Sequence, residues 1–537
     1  MSESDGNKFG RDSLWIICFL LLALILYTSG LGDLPLRDWD EGIVAGVARN
    51  IYRAEPGSLT WLYPTINYGD PYWNKPPLIH SAIALSYKLF GISEWSTRLV
   101  PALLSAFSVP LVYLIARELF SFPSAIFSAA VYLTLLPITR HGRVAMLDGA
   151  IACWFCLAVW CLLRGRKYPA WLFGTGIALG LICLTKGIMM GVLLAGILVI
   201  FLAWDSPKLL QTFYFWICLL IGVLPAIAWY LLQYQHYGAA FLGISLGDQT
   251  FDRIWVPVSS NSAPPWYYLL EIAKYSFPWL IFLPYGIKLA YSHRNLSWSK
   301  LTLVWGIVYL LAISVMSTKL PWYVIPIYPC LSLSIGAALG RIWQKKEANI
   351  SWQISLSFVA LVCWLGGIYY GAIDSEPQLD LALILFVAAT GFTIASILLW
   401  RRSRHFIPTA IAGFYISLLL LFNTSHWLWE LNNAYPVIPV ANFVRRNTSS
   451  LQKIYTNYPH PRPSLEFYSD RVVVSQENEQ LEKLWQDSTG TYFLLDPESP
   501  MPNLPDKQII ASDRSWQLVT NGQWTMDNCL ISTINKN

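Results

Sequence analysis

The sequence predicts a polytopic α-helical membrane protein of about thirteen transmembrane helices, with a small external α/β domain at its C-terminal end. Three observations carry that prediction. Of 537 residues, 55% are hydrophobic and 13% are charged, against about 25% charged in an ordinary soluble domain. The charge is uneven: residues 431–537 hold 20 Asp, Glu, Lys and Arg side chains, and residues 1–430 hold 49. Apolar runs near the ~20 residues that a bilayer crossing needs recur along the first 430 positions. This composition excludes a soluble multidomain protein, a disordered chain, collagen and a small disulfide scaffold. The net charge of +5 is no nucleic-acid signature, because the tail carries 9 bases and 11 acids and the surplus lies in loops between apolar runs. Two domains follow: residues 1–430, with a long external loop over 33–97, and residues 431–537.

The first span runs from Leu14 to Gly32, behind Lys8 and Arg11. No small-residue cleavage site follows it, so it reads as an uncleaved anchor rather than a signal peptide. Twelve more apolar runs follow, at 98–117, 123–139, 145–163, 169–185, 187–204, 211–232, 266–290, 300–316, 321–340, 351–371, 380–400 and 405–424. The stretch 76–91 is shorter and contains His80 and Lys88. Charge decides its placement. Four loops each hold three bases, namely Arg164 to Lys167, Lys288 to Lys300, Arg341 to Lys346 and Arg401 to Arg404. With 76–91 lying along the interface, all four fall on the side of Lys8 and Arg11, as the positive-inside rule requires. The expected topology has a cytoplasmic N-terminus and an external C-terminal domain on the plasma (inner) membrane. Eight of the nine cysteines sit in apolar runs and Cys529 is alone in the tail, so no disulfide forms within the outer domain. Cys153 and Cys156 read as buried cysteines rather than a metal or redox pair.

This topology collects ionisable residues at the outer ends of the spans. Such groups near membrane depth are expensive and mark function by default. The external loop supplies Arg37, Asp38, Asp40, Glu41, Arg49, Arg53, Asp70 and Lys75. Later turns supply Arg140, His141, Arg143, Asp148, Lys186, Asp248, Asp252, Arg253 and Lys319. A secondary transporter favours midplane charges and an internal repeat, so the pattern argues for chemistry at the outer surface. Asp40 and Glu41 begin a run of helical period, where acids suit the dipole. They read either as a cap or as a general base for an acceptor hydroxyl. Lys75, fixed by Pro76 and Pro77, reads as a snorkelling lysine or as a point charge for phosphate. Asp148, beside His141 and Arg143, reads as a cap, a cation ligand or an organiser of the acceptor.

Together these motifs resemble the GT-C superfamily of polyprenyl-phosphate-sugar glycosyltransferases. Within it, the chain is similar to the protein O-mannosyltransferase-related group that includes the bacterial lipid A aminoarabinose transferases. The resemblance covers most of residues 14–340. It rests on Asp40-Glu41, Asn74-Lys75-Pro76-Pro77-Leu78, Met146-Leu147-Asp148-Gly149 and Leu184-Thr185-Lys186-Gly187. It continues through Ala263-Pro264-Pro265-Trp266-Tyr267-Tyr268 and Lys319-Leu320-Pro321-Trp322-Tyr323. It implies a glycosyltransferase of GT-C fold, moving a sugar from a polyprenyl-phosphate donor to a lipid, glycan or protein acceptor, with inversion. Asp40, Glu41 and Asp148 are the implied catalytic carboxylates. Lys75, Arg253 and Tyr323 are the implied holders of the donor phosphate. Arg49, His141, Arg143, Lys186 and Lys319 are supporting candidates, and Asp40 with Asp148 would hold a divalent cation, if one binds. The chain departs from the aminoarabinose transferases at Asn74, where they have an acid, and at Asn261, where they have a histidine. Both belong to the family's metal site. Ile43 and Val44 replace an Arg-Tyr pair that contributes a phosphate contact. A protein O-mannosyltransferase, and a lipid or sugar transporter, are the alternatives.

The tail alternates short apolar runs with polar turns. Strands are expected at 454–458, 472–475, 492–495, 509–511 and 529–533, and helices at 439–446 and 477–487.

Overall fold

The computed structural model describes residues 3–38, 40–66, 69–257, 261–428, 437–450, 452–488, 490–513 and 515–522, with side chains from residue 10 onward. The chain packs as two units. One comprises residues 1–33, 73–79 and 98–427, and the other residues 34–72, 80–97 and 428–537. Most of the long loop, expected with the membrane domain, thus packs with the tail.

The first unit is a multi-pass helical membrane domain. Among the described residues, nine helices are long and apolar enough to cross a bilayer. They are Gly10–Thr28, Glu94–Leu119, Asp148–Gly165, Ile188–Asp205, Phe213–Tyr237, Ser297–Val315, Pro321–Lys345, Ile350–Ile373 and Leu379–Trp400. Shorter apolar helices, Phe122–Thr134, Trp171–Lys186 and Phe406–Leu421, fall on three more expected spans. The expected span 266–290 is broken into a helix at Tyr267–Tyr275, a 3₁₀ turn at Trp279–Phe282 and a helix at Leu283–Ser292. Pro278 and Pro284 cause the break, since each lacks the N–H that a continuous helix would use. Between lipid-like side chains, helices associate through small residues that let backbones approach. Gly336 and Gly340 do this on Tyr328–Lys345, where an added Cβ would lie 2.0 Å from Ser128 Oγ and 1.9 Å from Ser124 Oγ. Gly187, at φ +107°, makes the corner between Trp171–Lys186 and Ile188–Asp205. Only glycine adopts that backbone readily, and the corner fixes where Lys186 emerges.

The second unit holds an α/β sheet. A two-residue pair, β1 (Thr65–Ile66) and β2 (Asp70–Pro71), lies in the loop segment. The tail supplies β3 (Lys453–Thr456), β4 (Val472–Ser475), β5 (Tyr492–Leu495), β6 (Gln508–Asp513) and β7 (Trp516–Thr520). Their order is β4-β3-β5-β7-β6. β3 runs parallel to β4 and β5, and β7 is antiparallel to its neighbours. One face packs Val440, Val444, Ile454, Leu465, Leu494 and Leu518. The other packs Leu481, Trp485, Phe493 and Val519. Helices Val437–Asn447 and Asn478–Asp487 match expectation. Strand β7 and the helix Pro463–Ser469 were not anticipated, and the expected strand 529–533 lies outside the described residues. From the loop, the amphipathic helix Asp40–Arg53 packs on Pro463–Ser469. The stretch 76–91 forms a 13-residue helix, Leu78–Phe90. At 1.5 Å per residue it is about 20 Å long, short of the ~30 Å hydrocarbon core.

Candidate active site

In the helical unit, a cavity of about 190 Å³ is lined by both cationic and apolar side chains. Lys75, Lys186, Arg253 and Tyr323 are its polar lining, and Met190, Leu193, Ile313 and Met316 are among the apolar lining. Four expected residues, distant in sequence, are thereby brought together. Arg253 donates from Nη1 to the Tyr323 hydroxyl at 3.0 Å. Lys75 donates from Nζ to Gln249 Oε1 at 3.1 Å. The Lys186 ammonium lies 5.3 Å from the centroid of the Tyr323 ring and is ion-paired with Asp148.

Each side chain is placed by a local feature of the chain. Asp148 is the first residue of Asp148–Gly165, where the helix dipole favours a carboxylate. Its side chain is 4% exposed and that of Lys186 is 11% exposed. A pair this buried is costly to break, because one charge would be left uncompensated. Gln249 and Thr250 belong to Gly243–Asp252, wound in the wider i→i+5 form, which is rare and frequent at functional sites. Tyr323 lies in the 3₁₀ turn Pro321–Ile327, and its carbonyl accepts from the Tyr309 hydroxyl at 2.9 Å. The segments that carry Arg253 and Tyr323 are laced together by backbone. Ser317 N–H donates to Ile254 O at 2.8 Å, Lys319 N–H donates to Asn261 O at 2.9 Å, and Ser262 bridges Thr318.

The other expected cations of this unit have different partners. Lys319 is 5% exposed. Its ammonium donates to the carbonyls of Ile313, Ser314 and Met316, closing the end of Ser297–Val315. Those carbonyls have no partner within the helix, so a lysine there is stabilising. Arg143 is fully buried, donates to the carbonyls of Leu26, Ser29 and Phe422, and lies over the rings of Phe422 and Trp427. His141 Nδ1 lies 3.1 Å from Pro137 O. None of the three is among the residues lining the cavity. Arg143 and His141 therefore do not join Asp148 in a polar cluster; the partner Asp148 shows is Lys186.

The second unit carries Asp40 and Glu41. Asp40 pairs with Arg37 at 3.1 Å and its side chain is 37% exposed. Glu41 is fully buried, and its Oε2 accepts the Arg37 N–H at 2.8 Å. Of the two readings, Glu41 has the geometry of a helix-start cap, and Asp40 is the more exposed of the two carboxylates. Arg49 donates to the carbonyls of Glu466 and Phe467 at 3.3 and 2.9 Å and pairs with Asp470 at 3.3 Å. It docks a helix rather than replacing a phosphate contact.

Among the described residues, no group of three or more His, Cys, Asp or Glu is arranged to hold a metal ion. Asp40 and Asp148 each already have a basic partner. The family's further metal-site positions carry Asn74 and Asn261. Among the described residues, the side chains around Asp40 and Asp148 do not fit a divalent cation. Gln249 was not anticipated, because an amide in an apolar loop carries no distinguishing signal. Asp38 was visible as an external acid but not as a site residue. Its neighbours Asp40 and Glu41 drew the chemical reading.

Residues 74–231 match the family described as Dolichyl-phosphate-mannose-protein mannosyltransferase. The chain is 26% identical over 401 residues to undecaprenyl phosphate-alpha-4-amino-4-deoxy-L-arabinose arabinosyl transferase 1 of Pseudomonas fluorescens, covering 72% of this chain and 71% of the relative. It is 27% identical over 474 residues to an uncharacterized protein of Aquifex aeolicus, covering 86% and 88%. Among solved structures, the aminoarabinose transferase ArnT from Cupriavidus metallidurans, bound to undecaprenyl phosphate, superposes with a TM-score of 0.77 at 20% identity, covering 94% of this chain and 98% of that one. The Archaeoglobus fulgidus oligosaccharyltransferase gives 0.53 at 13% identity, covering 87% and 64%. The chain has the GT-C fold and is similar in sequence to the undecaprenyl-phosphate aminoarabinose transferases.

Proposed function

We propose that the protein is an integral-membrane glycosyltransferase. It moves a sugar from a polyprenyl-phosphate donor to a lipid, glycan or protein acceptor at the outer face of the plasma (inner) membrane, with inversion. The N-terminus is cytoplasmic and the C-terminal domain external in this reading. The observation that carries it is the cavity, in which Lys75, Lys186, Arg253 and Tyr323 share one lining with apolar side chains. A polyprenyl phosphate combines the same two chemistries. The apolar lining receives the lipid, while the cations and the phenol receive the phosphate. Charge grows on the leaving phosphate as the glycosidic bond breaks, and donors already aimed at it stabilise that change most.

In this reading Lys75 and Arg253 bind the phosphate directly and Tyr323 adds a neutral donor. Lys75 exchanges its amide partner Gln249 for phosphate oxygen. Asp148 holds Lys186 at the edge of the cavity, which makes it an orienting carboxylate rather than a metal ligand or acceptor site. Asp40 is the general base that takes the proton of the acceptor hydroxyl, and Arg37 sets its orientation. The matched relatives' names favour an aminoarabinose donor. The matched family's description favours a protein hydroxyl as acceptor.

The test is transfer by the purified full chain, using undecaprenyl phosphate-linked 4-amino-4-deoxy-L-arabinose and polyprenyl-phosphate mannose as donors, with lipid A and a Ser/Thr-rich protein as acceptors. The expected result is product from one donor, lost in Asp40→Asn and in Arg253→Ala. Lipid movement across vesicles with no transfer from either donor would favour the transporter alternative and overturn this one.

A further inference from the structure

The helix that begins with Asp40 is held by the C-terminal domain at both of its ends. Near its start, the Asp38 carboxylate accepts the Ser464 N–H at 3.1 Å and the Ser464 hydroxyl. It also pairs with Arg462 Nη1 at 3.2 Å, with the Asp38 side chain 20% exposed and that of Arg462 7% exposed. Arg462 is itself held with its guanidinium carbon 3.3 Å from the centroid of the Tyr458 ring. At its far end, Arg49 donates to the carbonyls of Glu466 and Phe467, and Arg53 pairs with Asp470 at 2.6 Å. Between these points the two helices touch at backbone. A Cβ added to Gly42 would lie 2.6 Å from Ser464 N and 2.8 Å from Pro463 C.

These contacts exceed what stability asks of an amphipathic helix. Burial of Val44, Ala45, Val47 and Ala48 would hold the helix on the sheet unit with some freedom to slide or turn. The Asp38 clamp and the Gly42 approach remove that freedom next to Asp40. A general base must meet its proton within hydrogen-bond reach, and a misplacement of about 1 Å can cost on the order of 100-fold in rate.

We infer that the C-terminal α/β domain is a positioning element for the Asp40 carboxylate, acting through the Asp38–Arg462–Ser464 clamp and the Gly42 contact. This rests on the reading of Asp40 as the base. Asp38, Gly42, Arg462 and Ser464 are positioning residues and touch no reacting atom. Donor binding belongs to a cavity lined by residues of the helical unit, so loosening the clamp lowers turnover without weakening phosphate binding.

The full chain in nanodiscs tests this with two readouts. One is turnover with undecaprenyl phosphate-linked 4-amino-4-deoxy-L-arabinose and lipid A. The other is the Kd for undecaprenyl phosphate alone. Gly42→Ala is the sharpest variant, because alanine is the better helix former and leaves every side-chain contact chemically intact. The expected result for Gly42→Ala and Asp38→Ala is a kcat loss of about 10- to 100-fold, a Kd within about twofold, and faster hydrogen exchange over residues 40–53. Asp38→Asn keeps an acceptor for Ser464 and should lose less. Asp38→Ala combined with Arg462→Ala should be no worse than either alone, because the two act as one unit. Leu481→Ala, which opens the sheet's far core, should lower the melting temperature while folded molecules keep their kcat.

Wild-type kcat in Gly42→Ala, with Asp40→Asn inactive, would overturn the positioning role and leave the base in place. Equal loss of kcat and phosphate binding in Gly42→Ala would overturn it as well. A fully active Asp40→Asn would instead remove the reading on which it rests.

Discussion

Two sets of cations in the helical unit, one buried and one half-buried, have the same charge but opposite partners. Arg98, Arg140, Arg143 and Lys319 donate to backbone carbonyls, those of Leu31, Trp427, Leu26 and Ile313 among them. Lys75, Lys186 and Arg253 meet side chains instead, an amide, a carboxylate and a phenol, and these three line the cavity. A carbonyl at a helix end cannot leave, so a cation on it is fixed. A side-chain partner can rotate away, so a cation on it is able to exchange that partner for a ligand. Partner chemistry separates structural from binding cations where charge and position alone do not.

The largest expected effect comes from the exchangeable set. Arg253→Ala should lower kcat/KM for transfer by about 100- to 1000-fold with little change in melting temperature. A comparable loss of stability would place Arg253 in the structural set and break the distinction. Asp148→Asn comes next. It removes the charge opposite Lys186 and should weaken undecaprenyl phosphate binding by about tenfold, the size of a 1.4 kcal/mol perturbation.

Arg143→Met tests the other set. It leaves the carbonyls of Leu26, Ser29 and Phe422 to find new donors and should destabilise the helical unit by about 3 kcal/mol. Turnover per folded molecule should be unchanged. A loss of turnover at full stability would return Arg143 to the site.

The smallest effect lies in the second unit and depends on pH. Burial lifts the Glu466 carboxyl to about 7, opposed by the hydrogen bond from the Val473 N–H and by Arg49, while Asp70 pushes it further up. Below the ordinary value of 4.5, the group is protonated in the folded and unfolded chain alike. Between that value and about 7, the unfolded chain has released a proton that the folded chain keeps. Stability of the second unit should therefore fall as pH rises through this window, with a slope of at most about 1.4 kcal/mol per pH unit. Chemical unfolding at pH 5 and pH 7.5 checks it, and Glu466→Gln should flatten the difference.

The long helices were legible because hydropathy over about 20 residues needs no tertiary information. The helix expected over 266–290 is interrupted at Pro278 and Pro284, a local rule that overall hydropathy hides. Strand β7 was missed although Trp516 and Leu518 alternate inward, since five residues behind a turn carry little signal. That Lys75 and Tyr323 would share a site was expected from motif order, and with Arg253 they line one cavity. What sequence could not supply was direction. Arg143 lies in the turn that carries Asp148 and Lys319 in the one that leads to Tyr323, yet their side chains go to carbonyls. Nothing in composition or spacing states which partner a buried cation will meet. The boundary expected at 430 falls at 427/428 in the packing, but most of the loop expected with the spans groups with the tail, for a similar reason. The 34–72 segment is contiguous with the spans in sequence, but its helix Asp40–Arg53 finds its apolar partner in the tail.

The most direct test of the central claim is binding of undecaprenyl phosphate and of undecaprenol to the wild-type chain and to Lys75→Ala, Arg253→Ala and Arg143→Lys. The account predicts that the phosphate form binds at least tenfold more tightly than the alcohol, and that this preference is lost in Lys75→Ala and Arg253→Ala and kept in Arg143→Lys. Equal binding of the two lipids by the wild-type chain, or a preference untouched by the two cavity variants, would contradict it.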